Sequence, residues 1–381
     1  MDNPQFFLFG MATGLALSAA VQFVVYQVAG YRNVPVLTAD AVGLVSAVPA
    51  TQKLMDKLTS QLSVSSKSLQ NIVLHMVAEF KKGLAQDGQV MKMIPSYVRH
   101  LPTGNETGSV LALDMGGSNF RVLHAKLEGA GRIKTIQRKW ALTEAYKHIA
   151  GPKLFDFFAE CVSSFIKEER LGDGPHKLGF TFSFPVHQTA INRGSLMEWA
   201  KGFDNEGVEG QDVVLLLEAA FKRRKLDISV TALVNDTVGT LVTHCYQDPK
   251  TYIAVILGTG TNAAYVEKAC NVTKWTESEG DVVINTEWGA YGEPSILPIT
   301  QYDHELDRAS ANPKKHMFEK MISGLYMGEL TRVIMMDLVA SGNLFKGIGS
   351  TQLGTRHLFD TAYMSRIERY RNFNSATTHR H

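Results

Sequence analysis

Cysteine is scarce: three residues in 381, Cys161, Cys245 and Cys270, stand far apart and form no Cys-x-x-Cys pair. That spacing excludes a disulfide framework and a zinc ribbon and fits a reducing compartment. An excess of charge is lacking too. Lysine plus arginine total 39 against 37 acidic residues, and a net charge of +2 leaves no broad electrostatic footprint for nucleic acid. The sequence has no fixed-period repeat, no low-complexity tract and no heptad array. With 45% hydrophobic and 20% charged residues the composition is that of a folded chain, not a disordered or fibrous one. A length of 381 residues suits one large domain or two ordinary ones, so a two-lobed body is expected.

What Phe6 to Gly30 lacks is charge. Phe6 to Gly30 is a run of 25 residues without a charged side chain; as a helix it would extend roughly 37 Å, more than a hydrocarbon core of about 30 Å. The run is longer than the apolar core of a signal peptide, and Asp2 rather than a basic cluster precedes it. An N-terminal transmembrane helix is therefore expected over a secretory signal or a buried helix. No lysine or arginine precedes the run, whereas Arg32, Lys53 and Lys57 follow it, so the positive-inside tendency puts the rest of the chain in the cytosol. Tyr31 to about Ala50 reads as a connector, since Pro35 and Pro49 discourage one continuous helix. The anchor and connector together occupy residues 1–50.

Beyond the connector the patterning is that of alternating helices and strands. Leu69, Ile72, Val73, Met76, Val77, Phe80 and Leu84 recur at helical spacing, with Ser68 in a capping position and Gly83 near the end. Strand-like runs fall at Val110–Leu113, Phe120–Leu127, Lys177–Phe182, Val230–Val234 and Tyr252–Leu257, interleaved with helical stretches at Leu154–Lys167 and Val213–Lys222. The fold class is α/β.

Three motifs carry chemistry. In Leu111–Val122 an apolar strand ends at Asp114, turns through Gly116 and Gly117, and resumes beyond Asn119. Glycines at such a turn let backbone N–H groups approach an anion, and a neighbouring carboxylate can hold a magnesium ion through water; the same letters also make an ordinary glycine-closed hairpin. In Leu233–Thr240 an apolar strand delivers Asn235 and Asp236 at its carboxyl end, where ligands sit in open α/β sheets. An aspartate there can accept a hydroxyl proton, or can simply cap the next helix. Ile256–Asn262 is a second glycine turn after an apolar strand, with Gly258 and with Thr259 able to donate to a phosphoryl oxygen. Two phosphate turns bracketing a strand-end aspartate are more specific than any one of them, and phosphoryl transfer becomes the leading chemistry.

The stretch Leu178–Phe203, together with DMGGSNFRV, VNDTVGT, LGTGTNAAY, NTEWGAYG and FEKMISGLYMGE, resembles the hexokinase family of the actin-like ATPase superfold, over about Thr51 to about Arg366. The resemblance implies a two-lobed body: a small lobe at 108–235, and a large lobe from the helices of 51–107 and the chain 236–381. It implies an ATP-dependent hexose 6-kinase, the reaction that opens glycolysis, with Mg2+ and with Asp236 and Lys201 as catalytic residues. Asp236 would be the general base, and Ser183, Lys201, Asn235, Asp236, Asn262, Glu287 and Glu319 would line the hexose site. Asp114, Gly116, Gly117, Ser118, Asn119, Arg121, Gly258 and Thr259 would face the ATP phosphates, with Asp114 holding the metal through water. The membrane implied by the resemblance is the mitochondrial outer membrane.

Departures from the family pattern bear on activity. Where the family has Trp-Thr-Lys this chain has Trp199-Ala200-Lys201, and one sugar-facing hydroxyl is lost. Asn312-Pro313 is followed by Lys314, Lys315 and His316 in place of Gly-Gln-Gln, so a sugar-binding glutamine amide gives way to His316. Ser118 stands for threonine and keeps the hydroxyl. Family members continue past the equivalent of Arg366 through a glycine-rich segment that flanks adenine, which the polar tail Glu368–His381 does not resemble; the large lobe is therefore expected to lack its end. Two functions follow from these features: a membrane-held hexose kinase, or a sugar-binding regulator without turnover.

Overall fold

The computed structural model describes residues 47–199, 201–367 and 369. The expected anchor over Phe6–Gly30, Ala200 and most of the polar tail lie outside the described residues. Among the described residues no helix is long and apolar enough to cross a membrane.

Helices α1 (Ala47–Leu62) and α2 (Ser66–Ala85) lead to a two-residue strand β1 (Ile94–Pro95). A meander follows: β2 (Thr107–Met115), β3 (Asn119–Glu128) and β4 (Ile133–Ala141). After α3 (Glu144–Lys147) and α4 (Gly151–Glu168) come β5 (His176–Phe182), β6 (Val186–Ala190) and β7 (Arg193–Leu196). Then α5 (Val213–Arg223), β8 (Ile228–Val234) and α6 (Asp236–Gln247) precede a second meander, β9 (Ile253–Leu257), β10 (Thr261–Lys268) and β11 (Asp281–Asn285). The chain continues in α7 (Gln301–Arg308), α8 (Met317–Ile322), α9 (Gly324–Ala340) and α10 (Thr351–Gly354).

The described residues pack as two units, one over Glu79–Trp288 and a second made of the described residues before Glu79 with those after Trp288. Within Glu79–Trp288 lie both larger sheets. One has the order β4-β3-β2-β5-β8, with β5 parallel to β2 and to β8 and the rest antiparallel. The other is β1-β11-β10-β9, antiparallel throughout. Parallel pairing demands crossover connections, and α4 and α5 supply them. Their apolar faces, Phe158, Val162 and Phe165 of α4 with Leu217 and Phe221 of α5, join Leu113, Phe120 and Phe180 of the sheet in one buried core. Phe120 and Phe158 stack with ring centroids 4.3 Å apart. Helix α6 closes on the second sheet, Val238 and Leu241 packing on Ala254, Ala264 and Val283.

All five expected strands and all three expected helices form, their ends within three residues of those expected. One local reading is corrected. Ser65, not Ser68, caps α2: its hydroxyl accepts from Ser68 N–H at 3.1 Å, which places Ser68 inside the first turn. Gly83 lies near the helix end as expected, and it makes a close approach, since a Cβ there would lie 2.1 Å from the Met91 carbonyl oxygen. Sequence patterning passed over β4, most of whose side chains are solvent-facing on the edge of the sheet.

The other unit is helical. Leu58 and Leu62 of α1 pack with Tyr302 and Leu306 of α7 and with Leu330, Val333, Ile334 and Leu338 of α9. Beside this core lies a buried ion pair, in which Arg332 Nε and Nη2 each donate to a Glu329 carboxylate oxygen at 2.8 Å. Arg332 Nη1 also donates to the Leu353 carbonyl at 3.0 Å, and His357 N–H donates to Glu329 at 2.7 Å, so the pair fastens α9 to the chain after it. Burial pushes the Glu329 carboxyl up, but the hydrogen bonds from Arg332 and His357 outweigh it and hold the group below the usual glutamate range. Its contribution to stability is therefore present above the unfolded-state pKa and is lost as pH falls through the lower folded one. Glu329→Gln leaves the Arg332 charge buried without its partner, and breaking such a pair costs about 3–5 kcal/mol. Denaturant unfolding of the full chain at neutral pH should report a loss of that order, narrowing at acid pH; equal stability of parent and variant would remove the pair from this role.

Candidate active site

Asp114 is the next-to-last residue of β2 and stands opposite Arg121 of β3 in the ladder. The register makes the guanidinium of Arg121 its hydrogen-bond and ion-pair partner. Burial nonetheless pushes the Asp114 carboxyl above its ordinary range: Arg121 and Lys201 pull it down, while the charge of Asp236 adds to the rise. The turn that follows is closed by Gly116 N–H donating to the Asn119 carbonyl at 3.0 Å. The second turn has the same build, Gly258 N–H donating to the Gly260 carbonyl at 2.9 Å. The two turns meet, with the Ser118 and Thr259 hydroxyls 3.5 Å apart. Backbone N–H groups of Gly117, Ser118 and Thr259 have no acceptor among the described residues. Donors so placed suit an anion.

Lys201 lies in the left-handed region at φ 58°. Its Nζ donates to the Ser183 carbonyl at 2.5 Å and sits 5.1 Å from the centre of the Phe184 ring. Its stem passes beside the first turn, a Cβ on Gly117 lying 3.0 Å from Lys201 Cδ. Ser183 is anchored through its own N–H, which donates to Met115 O at 3.1 Å. Its hydroxyl is buried without a partner among the described residues. A buried orphan hydroxyl needs a reason, and a polyhydroxyl ligand supplies one.

Asn235 caps α6, accepting from Thr237 N–H at 2.9 Å, so the alternative of Asp236 as the cap gives way to Asn235. Asp236 becomes the first helical residue. Around them an amide–carboxylate network forms. Asn262 Nδ2 donates to Asn285 Oδ1 at 2.7 Å and lies within longer reach of Asn235 Oδ1 at 3.3 Å and Glu287 Oε1 at 3.4 Å. Asn285 Nδ2 donates to Glu287 Oε1 at 2.8 Å. Glu287 takes a left-handed φ of 54° and its carboxyl is pushed up by burial, against the pull of Asn285, Lys92 and Lys201 and with the charge of Asp236 adding to the rise. Asp236 and Lys201 thus act electrostatically on both Asp114 and Glu287, which gathers the turn and the network into one neighbourhood.

Glu319 belongs to the other unit, in the first turn of α8, with His316 Nδ1 3.9 Å from its carboxylate. Lys320 next to it is buried and donates to Asp307 at 2.6 Å and to the Asn312 carbonyl at 2.7 Å, holding the Asn312–His316 turn in place. The sequence reading missed Asn285. The signal lay in Asn285-Thr286-Glu287, two polar groups two residues apart at the end of an apolar strand. No group of three or more metal-ligating side chains occurs among the described residues.

In an α/β frame, adjoining glycine turns with unused N–H donors beside strand-end carboxylates and a lysine define a phosphotransferase site. Family models described as hexokinase match residues 54–246 and 252–380, the second running past Arg366 into the tail. The chain belongs to the hexokinase family. It is 42% identical over 328 residues to the hexokinase of Schwanniomyces occidentalis, an alignment covering 83% of this chain and 68% of that one. It is 39% identical over 359 residues to hexokinase-3 of Mus musculus, covering 93% of this chain but 38% of that protein, so it spans well under half of that relative's length. Among solved structures, the hexokinase from Schistosoma mansoni complexed with glucose superimposes with a TM-score of 0.78 at 39% identity, covering 84% of this chain and 74% of that one.

The contact of Gly117 with Lys201 gives a test of this geometry. A methyl on Gly117 would press on the lysine stem and shift its ammonium by a few tenths of an ångström or more. Gly117→Ala should lower phosphoryl transfer roughly 10–100-fold, the scale of effect that small misplacements of a charged group produce. Sugar affinity measured by calorimetry should stay close to that of the parent, and unchanged turnover would show that Lys201 does not depend on this turn.

Proposed function

We propose that the chain is an ATP-dependent hexose 6-phosphotransferase acting on a glucose-like sugar. The observation that carries the reading is the single network of Asn235, Asn262 and Glu287 beside Asp236, in the same electrostatic neighbourhood as the two phosphate turns. Planar amides and carboxylates pair with sugar hydroxyls, and the Schistosoma mansoni relative holds glucose. With a hexose on this network, Asp236 accepts the proton of the attacking 6-hydroxyl. Lys201 supplies a cation to the transferring group, and Gly117, Ser118 and Thr259 hold phosphate oxygens through N–H and hydroxyl donors.

The family implies ATP with a divalent metal, and the residues fit one. Asp114 is a partly exposed carboxylate beside the turn, and a magnesium ion held mainly by phosphates and waters needs only one or two such groups. Bound there through water, the ion supplies charge neutralisation on the phosphates.

A second reading, a sugar-binding regulator without turnover, is favoured by Ala200 and His316, which replace a hydroxyl and an amide of the family pattern. Loss of one neutral hydrogen bond is worth about 0.5–1.5 kcal/mol, which weakens a kinase without abolishing it. Asp236→Asn should lower glucose phosphorylation by about 10²–10⁴ while glucose binding persists. Near-normal turnover by that variant would remove Asp236 from the role, and glucose binding without turnover by the parent would favour the regulator.

We propose also that Phe6–Gly30 anchors the chain in a membrane with its body in the cytosol, the mitochondrial outer membrane being the one the family resemblance points to. The support is the uncharged length of the run and the basic residues that follow it. A charge at mid-span costs about 2.5–3.5 kcal/mol on insertion scales. Leu17→Arg should therefore release a soluble fraction, and carbonate extraction that frees the parent chain would overturn the anchor.

A further inference from the structure

Asn285 is 5% exposed and is held on both sides, its strand paired with Ala264 of β10 and with Ile94 of β1. Its side chain therefore has little freedom to follow its neighbours, and they must follow it. Its Nδ2 donates to Glu287 Oε1 at 2.8 Å, and its Oδ1 accepts from Asn262 Nδ2 at 2.7 Å and from Glu287 N–H at 3.4 Å. We propose that Asn285 is a positioning residue of the hexose site, turning the Glu287 carboxylate and the Asn262 carboxamide into the one mutual orientation that a sugar hydroxyl can bridge.

An amide is the side chain that can do this. Glu287 asks for a donor and Asn262 Nδ2 for an acceptor, and a carboxamide presents one of each in a fixed plane. Asp would lack the donor, and an aliphatic residue would lack both. With Glu287 Oε1 and one Asn262 N–H engaged by Asn285, the contacts left over are the long ones. Asn262 Nδ2 reaches Asn235 Oδ1 only at 3.3 Å and Glu287 only at 3.4 Å. A hydroxyl entering there can accept from Asn262 and donate to Glu287, replacing weak contacts with good ones. The Glu287 N–H reaches the same Asn285 oxygen, and the left-handed φ of Glu287 sets the direction its side chain takes from there. Behind the network Asn285 and Asn235 line a small cavity with Phe182, Phe184 and Leu233. Truncating Asn285 would open that space to water, so the informative substitution keeps its shape.

Asn285→Asp is that substitution, exchanging the donor that faces Glu287 for an acceptor. The other charges acting on Glu287 are Lys92 and Lys201, which favour its ionised form, and Asp236, which opposes it. Removing the Asn285 donor pushes Glu287 further up, so its carboxylate is lost at a higher pH as the solution is acidified. The role assigned to Asn285 rests on the hexose reading of the site, and the measurement separates the two. Glucose and Mg-ATP affinities of the full chain are compared by calorimetry across pH.

For Asn285→Asp, glucose affinity at neutral pH should fall on the order of 10–100-fold, the scale of a lost hydrogen bond to a charged group. Mg-ATP affinity should change by less than about threefold, the scale expected for a site outside the network. The pH below which glucose affinity declines should move upward by about one unit, as a neighbouring like charge does to a carboxylate. Asn285→Ala, which adds no charge, should show the same loss for glucose against Mg-ATP and serves if the Asp variant does not fold. Glucose affinity within about twofold of the parent in both variants, or equal losses for glucose and Mg-ATP, would overturn the positioning role. Absence of glucose binding by the parent chain would instead overturn the hexose reading on which it rests.

Discussion

The hydrogen bond from Asn262 Nδ2 to Asn285 Oδ1, 2.7 Å long, ties the start of β10 to the end of β11 at the edge where the sheet meets α6. Strand register fixes its two ends, because Ala264 pairs with Asn285 and Asn262 pairs with Ile256 of β9. A slip of one residue would carry either side chain to the opposite face of the sheet and dissolve the network. Apolar packing of Val238 and Leu241 on Ala254, Ala264 and Val283 is what makes the register unique. The polar chemistry of the site therefore depends on an apolar contact it never touches, and the helix that makes the contact is also the one that presents Asp236.

The two glycine turns show the same economy. Each joins the first and second strands of an antiparallel meander, β2 to β3 and β9 to β10, and each is closed by a glycine N–H on a carbonyl two or three residues ahead. Strands are stiff, so the residues between them are placed by the pairing on either side. The meanders thereby bring Ser118 and Thr259, 141 positions apart in the chain, to within 3.5 Å. At 117 a side chain would press on the Lys201 stem, so the fit of glycine there comes from that approach rather than from backbone angle.

What could be read from the sequence followed from periodicity. Apolar spacing located α2, α4, α5 and five strands because each buries one face or both against a neighbour. It was silent on β4, whose residues are largely exposed on a sheet edge and so carry no apolar alternation. It misplaced the cap of α2 because Ser65 and Ser68 are both good caps, and the backbone decides between them. Motif logic singled out Asp114, Asn235, Asp236 and Thr259, but not Asn285, since a polar residue ending an apolar strand reads as a loop boundary. The Glu329–Arg332 pair was equally hidden: at a spacing of three on a helix it looks like a solvated surface pair, and only the chain around Leu353 and His357 buries it.

Charge in the site is sorted by kind of donor. Asp114 lies near the end of β2 and Glu287 just past the end of β11, and both are driven up by burial and by the charge of Asp236 at the start of α6. Lys201 offsets part of that, acting on both carboxyls, with Arg121 serving Asp114 and Lys92 serving Glu287. A bare anion among these carboxylates would be repelled, whereas a hydroxyl that donates to one of them, or a cation beside Asp114, relieves the repulsion. The N–H groups of Gly117, Ser118 and Thr259, at the two turns, have no backbone acceptor among the described residues. In the function we propose, phosphate oxygens go to the turns and hydroxyls to the carboxylates, with Lys201, whose stem passes the first turn while its ammonium reaches the Ser183 carbonyl, between the two.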